Sequence, residues 1–128
     1  AQPCAIVGTL GAGFPDDLTE TGFTTPRAPV LAACLDDFVR RGAVACALEA
    51  SSIGIEEGRL DGADVAVAVL TNLTRDHLDY HGTMAAYAAA KEKLFLRPGL
   101  KAAVLNLDDA FGRHLFAVGS PGLRIGYT

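Results

Sequence analysis

The run Val65-Ala66-Val67-Ala68-Val69-Leu70 decides how the chain folds. It is apolar without a break and β-prone. A strand of that kind predicts burial on both faces, as at the centre of a parallel sheet. Working outward, further short apolar runs recur on both sides. Upstream lie Cys4 to Gly8 and Val44 to Leu48; downstream lie Ala102 to Leu105 and Leu123 to Tyr127. Helical patterns separate them. Pro29 suits a first helical turn, and Leu31, Leu35, Phe38 and Val39 supply an apolar face. Arg40, Arg41 and Gly42 then read as a basic last turn and a C-cap. Met84 to Phe95 is an Ala-rich helix ended by Pro98-Gly99, and a short helix spans Ala110 to Val118. Strands alternating with helices predict an α/β class: a mostly parallel sheet flanked by helices. The polar, Gly/Pro-rich stretch from Thr9 to Arg27 and the segment from Thr71 to Gly82 read as loops, with Gly11-Ala12-Gly13 a flexible turn.

The chain has 128 residues, the size of one domain, and half of them are hydrophobic, enough for a buried core. Charged residues make up 20% and the net charge is −4, with no long run of one sign. That balance argues against nucleic acid or a membrane surface as the partner. No apolar stretch approaches the roughly 20 residues of a membrane span. The three cysteines, Cys4, Cys34 and Cys46, lack the paired spacing of a disulfide framework or metal knuckle. They read as buried free thiols of a cytoplasmic protein.

Ligands of parallel α/β sheets gather at the carboxyl ends of the strands. Glu49, Asn72, His77 and Asn106 all lie at or just past such an end. His77 and His81 have the spacing that suits zinc on one helix face, but the loop character and the lack of a third ligand argue against it. Lys91 sits on the Ala-rich helix, and Lys93 points to a different face of it.

Three segments have an informative order and spacing: Leu48-Glu49-Ala50-Ser51-Ser52-Ile53-Gly54 with Glu57 and Arg59 after it; Asn72-Leu73-Thr74-Arg75-Asp76-His77-Leu78-Asp79-Tyr80-His81-Gly82; and Tyr87 to Phe95 with Lys91 inside. Together they resemble the central domain of the Mur ligases, closest to the branch that adds the third residue of the peptidoglycan stem peptide. Gly8-Thr9-Leu10-Gly11, Thr24-Thr25-Pro26 and Asn106-Leu107-Asp108-Asp109 add weaker support, and the likeness runs over essentially the whole chain. The resemblance implies an ATP-dependent amide ligase: ATP phosphorylates a substrate carboxylate, and an incoming amine displaces phosphate from the acyl phosphate. It implies Mg²⁺, which takes oxygen ligands and keeps several waters. By the same resemblance Glu49 and His77 hold metal, and Lys91 is carbamylated so that its new oxygens serve a second Mg²⁺. A partly desolvated lysine, its pKa lowered, has the neutral amine that such chemistry needs. Thr24, Thr25, Ser51, Glu57 and Arg59 fall where the family contacts its UDP-N-acetylmuramoyl-dipeptide substrate. Asn72 and Asn106 fall where they could face the nucleotide. Ile53 stands where many relatives carry His, and Glu57 where Gln is common. The third substrate is diaminopimelate or lysine, and the full-length enzyme is expected to be a cytoplasmic monomer.

No G-x-x-x-x-G-K-[ST] phosphate loop occurs in the chain. The expectation is therefore a partial central domain over residues 1–128, with the phosphate loop, the N-terminal nucleotide-sugar domain and the C-terminal domain lying outside it. Such a piece should be inactive alone. The rival from another class is a non-catalytic nucleotide-sugar binding module, which would need no Glu49, His77 and Lys91 together.

Overall fold

The computed structural model describes residues 2–74, 78–119 and 122–128. The chain divides into two compact units, Ala1–Ala63 and Asp64–Thr128.

The first unit runs β1 (Cys4–Gly8), β2 (Gly11–Phe14), β3 (Asp17–Thr19), α1 (Ala28–Arg40), β4 (Ala45–Leu48) and α2 (Ser52–Glu56). Its sheet has the order β3-β2-β1-β4. β1 and β4 are parallel, with Ala5 opposite Cys46 and Val7 opposite Leu48. β1 is antiparallel to β2, with Ile6 opposite Gly13. Ala5 and Val7 are fully buried, as befits an inner strand, and Leu31, Phe38 and Leu60 complete the core. Phe14 meets Phe38 edge-on at 6.0 Å between ring centroids.

The hairpin of β2 and β3 replaces the loop expected there. Gly11 and Gly13 are extended with φ of +136° and +149°, a region L side chains avoid. A Cβ on Gly11 would lie 2.8 Å from the Thr19 carbonyl oxygen, and one on Gly13 would strike that of Asp17. These glycines permit close backbone pairing. Read as flexibility, they conceal it.

α1 begins with Pro29 in its first turn, as the sequence indicates. It ends in a Schellman motif: Gly42 (φ +90°) donates to the Val39 carbonyl and Ala43 to that of Phe38. Its buried face is narrower than expected. Leu31 and Phe38 are buried and Leu35 is half-buried, but Val39 is 71% exposed. α2 is a single short helix, and its start is fixed by Ser51, whose Oγ accepts from Gly54 N–H.

The second unit runs β5 (Val67–Leu70), α3 (Leu78–His81), α4 (Met84–Phe95), β6 (Ala102–Asn106), α5 (Ala110–Val118) and β7 (Leu123–Tyr127). Its sheet is wholly parallel, in the order β5-β6-β7. β6 is the inner strand, with Ala102, Ala103 and Leu105 buried. The expectation that β5 is a central strand buried on both faces is corrected. It is an edge of its sheet, with Ala68 and Leu70 buried but Val67 and Val69 half exposed, at 50% and 55%. An all-apolar run gives no period-2 signal, so its two faces cannot be told apart by composition.

α4 and α5 match their expected bounds. Thr83 caps α4 by accepting from Ala86 N–H, and Tyr87, Ala90 and Leu94 line its buried face. Asp109 caps α5, and Gly112 packs directly on the Asn106 carbonyl. α3 is one turn inside the segment read as loop. The cysteines are free thiols, as expected, but they are not buried: Cys4 is exposed, and Cys34 and Cys46 are half-buried. Among the described residues no helix is long and apolar enough to cross a membrane.

Candidate functional site

The carboxyl end of the β1–β4 pair builds the first half of the site. Glu49 N–H donates to the Val7 carbonyl at 2.8 Å, which extends the parallel ladder one residue past β4. The Glu49 side chain then lies across Gly8, where a Cβ would come within 2.9 Å of its carboxyl carbon. Thr9 secures the carboxylate from the end of β1. Its hydroxyl donates to Oε2 at 3.1 Å and its backbone N–H to Oε1 at 3.4 Å. Thr24 Oγ1 lies 3.0 Å from Thr9 Oγ1. Because the single Thr9 proton goes to Glu49, Thr24 must be the donor in that contact, which leaves its own lone pairs as acceptors. The result is an exposed carboxylate, oriented by two donors and still able to offer oxygens.

Thr25 is the buried hub beneath this carboxylate. It is fully buried, donates to the Glu49 carbonyl at 2.8 Å and accepts from Ser51 N–H at 2.9 Å. Ser51 in turn caps α2, and Gly54 leaves room for both, since a Cβ there would sit 2.8 Å from Thr25 Cβ and 2.9 Å from Ser51 Oγ. Arg59 closes the cluster. Nη1 donates to the Thr25 carbonyl at 2.9 Å and Nη2 to Glu57 Oε2 at 2.6 Å. Its side chain is 13% exposed, against 43% for Glu57. Arg59 also lies over the Phe23 ring at 5.1 Å, and Arg27 lies over that ring at 5.8 Å. Arg27, Ala28, Glu57 and Arg59 line an open pocket of about 340 Å³. A larger groove of about 470 Å³ between α1 and the hairpin, lined by Cys34, Phe38 and Arg41 among others, holds no residue expected at a site.

The structure thus brings Thr24, Thr25, Glu49, Ser51, Glu57 and Arg59 into one hydrogen-bonded cluster of the first unit. Thr9 belongs to it through its bonds to Glu49, Gly8 lies against the Glu49 side chain, and Phe23 and Arg27 adjoin it through ring contacts. Gly8 and Thr9 enter the sequence reading only as part of a supporting motif, and Phe23 and Arg27 have no role in it, since single residues in a polar stretch give no periodic signal.

In the second unit, Asn106 closes β6. Its Nδ2 donates to the Thr71 carbonyl at 2.7 Å, and its Oδ1 accepts from Asp108 N–H at 2.9 Å. Asp109 accepts from Leu73 N–H at 2.9 Å while capping α5 through Phe111 and Gly112. These side chains staple residues 71–73, past the end of β5, onto the β6–α5 turn. Asn72 is exposed within that stapled segment, and Lys91 is half-buried on α4. His77 lies outside the described residues. Among the described residues no three His, Cys, Asp or Glu side chains form a group that could hold a metal ion. Burial, and then the Asp37 carboxylate, push the Cys34 thiol up; burial, and then Cys4 and Cys34, do the same at Cys46.

The sequence profile of the Mur ligase middle domain matches residues 1–121. The chain is 58% identical over 125 residues to a protein of Ralstonia nicotianae named UDP-N-acetylmuramoyl-L-alanyl-D-glutamate–2,6-diaminopimelate ligase; the match covers 98% of this chain and 24% of that protein. Proteins of the same name from Xanthomonas oryzae pv. oryzae and Pseudomonas syringae pv. tomato are 57% and 52% identical, over 95% and 99% of this chain and 25% and 26% of theirs. A solved structure of a ligase of that name superposes with a TM-score of 0.82 at 49% identity, covering 91% of this chain and 23% of its own. The chain spans about a quarter of the length of these relatives. With the profile matched over nearly every residue and the Glu49 cluster built from the segments that carry the likeness, the chain belongs to the Mur ligase middle-domain family.

Proposed function

We propose that this chain is part of a cytoplasmic, monomeric, ATP-dependent ligase that joins 2,6-diaminopimelate to UDP-N-acetylmuramoyl-L-alanyl-D-glutamate in peptidoglycan synthesis. The observation that carries this reading is the Glu49 carboxylate. It is exposed at the carboxyl end of a parallel strand pair and oriented by Thr9, in a chain 58% identical to a ligase so named. A carboxylate with hydroxyl neighbours is a hard-oxygen donor set and fits Mg²⁺, which needs few protein ligands. By the family resemblance Glu49 and His77 would hold metal and a carbamylated Lys91 would serve a second Mg²⁺; such ions, when bound, would neutralise charge on the phosphates.

The remaining steps belong to substrate and protein. The glutamyl carboxylate of the nucleotide substrate attacks the γ-phosphorus of ATP, giving ADP and an acyl phosphate. The amine of diaminopimelate then attacks the acyl carbon, phosphate leaves, the nitrogen loses a proton and an amide forms. Thr24, Ser51, Glu57 and Arg59 flank the nucleotide-sugar peptide, and Thr25 holds their framework. Asn72 faces the nucleotide, on the segment that Asn106 staples.

The test is phosphate release by the full-length enzyme. It should require ATP, the UDP-N-acetylmuramoyl-dipeptide and diaminopimelate together, with lysine a poor replacement. Turnover with lysine alone would overturn the choice of amine, and no release with either amine would overturn the ligase reading.

A further inference from the structure

We propose that in this chain Arg27, held against the Phe23 ring, is the guanidinium that binds an oxyanion of the acidic nucleotide-sugar substrate; this rests on the ligase reading above. Arg59 is the residue the family pattern offers for that contact, yet its guanidinium is engaged. Nη1 is bound to the Thr25 carbonyl and Nη2 to Glu57, and the side chain is mostly buried. The ion pair with Glu57 offsets the charge of Arg59, and two of its five N–H donors are committed to protein acceptors. Arg27 is different. It is exposed, it lines the same pocket, and among the described residues no carboxylate pairs with it. The first turn of α1, which follows it, contains no acidic residue.

Phe23 explains how an exposed arginine can be specific. Both guanidiniums lie over its ring, at 5.1 Å and 5.8 Å from the centroid. A guanidinium stacked on an aromatic face keeps its in-plane N–H donors for an oxyanion and loses less freedom on binding. The pocket therefore has one locked arginine that shapes it, one acidic partner, Glu57, that cancels that arginine, and one charged arginine left for ligand. The substrate offers a diphosphate and glutamyl carboxylates, all oxyanions of the right geometry.

The experiment uses the full-length enzyme with ATP, diaminopimelate and the UDP-N-acetylmuramoyl-dipeptide. Arg27→Gln should raise KM for the nucleotide-sugar peptide about tenfold, the loss expected for one charge-assisted contact. KM for ATP should stay within about twofold, and the exposed site predicts an unchanged melting temperature. Arg27→Lys should fall between, since it keeps charge but not the stacked fork. Glu57→Gln removes the charge that offsets Arg59, although its amide oxygen can still accept from Nη2, so Arg27→Gln in that background should cost several-fold less. Competition by UDP and by the muramoyl-dipeptide without nucleotide separates the two sources. If Arg27→Gln weakens only UDP, the oxyanion is the diphosphate; if it weakens only the peptide, it is a carboxylate. An active wild-type enzyme whose Arg27→Gln variant keeps its KM overturns this inference and leaves the ligase reading intact. An inactive wild-type enzyme overturns that reading first.

Discussion

Thr9 holds Glu49 through both of its polar groups, hydroxyl to Oε2 at 3.1 Å and backbone N–H to Oε1 at 3.4 Å. The two residues end adjacent parallel strands, 40 positions apart in sequence. Removing the hydroxyl should therefore loosen the aim of the carboxylate without unfolding anything. In the full-length enzyme, Thr9→Val should cut kcat by about tenfold or more, because small errors of placement are costly at a reacting centre. Stability should change by less than ~1 kcal/mol, since the contact is exposed. Thr9→Ser should behave as wild type. Steady-state kinetics at saturating Mg²⁺ decide it, and an unchanged kcat in Thr9→Val would remove Thr9 from the site.

Thr25 makes the opposite forecast. Its hydroxyl is fully buried and serves as donor and acceptor at once. Thr25→Val keeps the shape but strands the Glu49 carbonyl and the Ser51 N–H. That should lower stability by roughly 1–3 kcal/mol, while Thr25→Ser should lose little. Denaturant melts of the two variants give the comparison. Equal stability would mean that water replaces the hydroxyl, and the hub role would fail.

The contrast shows what the sequence could and could not disclose. α4, α5, β1 and β7 follow their expected bounds because apolar runs, Ala-rich stretches and a breaker such as Pro98-Gly99 are local signals; the caps Thr83 and Asp109 act within a few residues too. The hairpin of β2 and β3 was hidden because its decisive feature is the carbonyl of Asp17 or Thr19 filling the space a Cβ would take, a contact no periodicity encodes. The exposed valines of β5 were hidden because burial depends on what covers each face, not on strand composition. At the site, motif spacing singled out Glu49, Thr24, Thr25, Ser51 and Arg59. It did not show that Thr25 and Arg59 are turned onto backbone carbonyls. Phe23 and Arg27 matter only through a ring that collects two guanidiniums from distant positions.

Two glycines should fail in different ways. A Cβ on Gly8 meets the Glu49 side chain, whose end can swing aside; a Cβ on Gly112 meets the backbone carbonyl of Asn106, which cannot. Gly8→Ala should therefore keep most of the melting temperature and lose turnover. Gly112→Ala should lose stability, although alanine gains about 1 kcal/mol of helix propensity over glycine. Thermal melts beside turnover measurements separate the cases. A stable Gly112→Ala would show that α5 can shift off β6.

The thiols set an alkaline limit. Cys34 and Cys46 both have pKa values raised above the ordinary 9.0, chiefly by burial. The unfolded chain thus loses these protons first, and the folded state keeps them longer. Their contribution is complete below about pH 9 and is lost as pH rises through the folded values. Melting temperature should fall more steeply above pH 9 in the wild type than in the Cys34→Ala/Cys46→Ala double variant. Parallel slopes, measured from pH 8 to 10.5 at constant ionic strength, would assign the alkaline loss to other groups.

Lys91 gives the sharpest chemical forecast. It is half-buried in the middle of α4, whereas Lys93, two positions on, is exposed. If Lys91 acts as a carbamate, it serves as an anion, and Lys91→Ala removes oxygens rather than a positive charge. Full-length Lys91→Ala should then lose most activity, and acetate or formate should restore part of it by occupying the vacated space with similar oxygens. A lysine acting as a cation could not be replaced in that way, because a free carboxylate brings the wrong charge. Lys91→Glu should keep a little activity for the same reason. Its reach is shorter, and a misplacement of about an ångström is costly. A lysine with only a surface role predicts a stability change within about 0.5 kcal/mol and near wild-type kinetics. Turnover across an acetate and formate series, with chloride holding ionic strength constant, separates these outcomes. Near wild-type activity without additives would return Lys91 to the helix surface. Inactivity that no carboxylate relieves would reject the anionic role and leave Lys91 as a residue the site requires for its position alone.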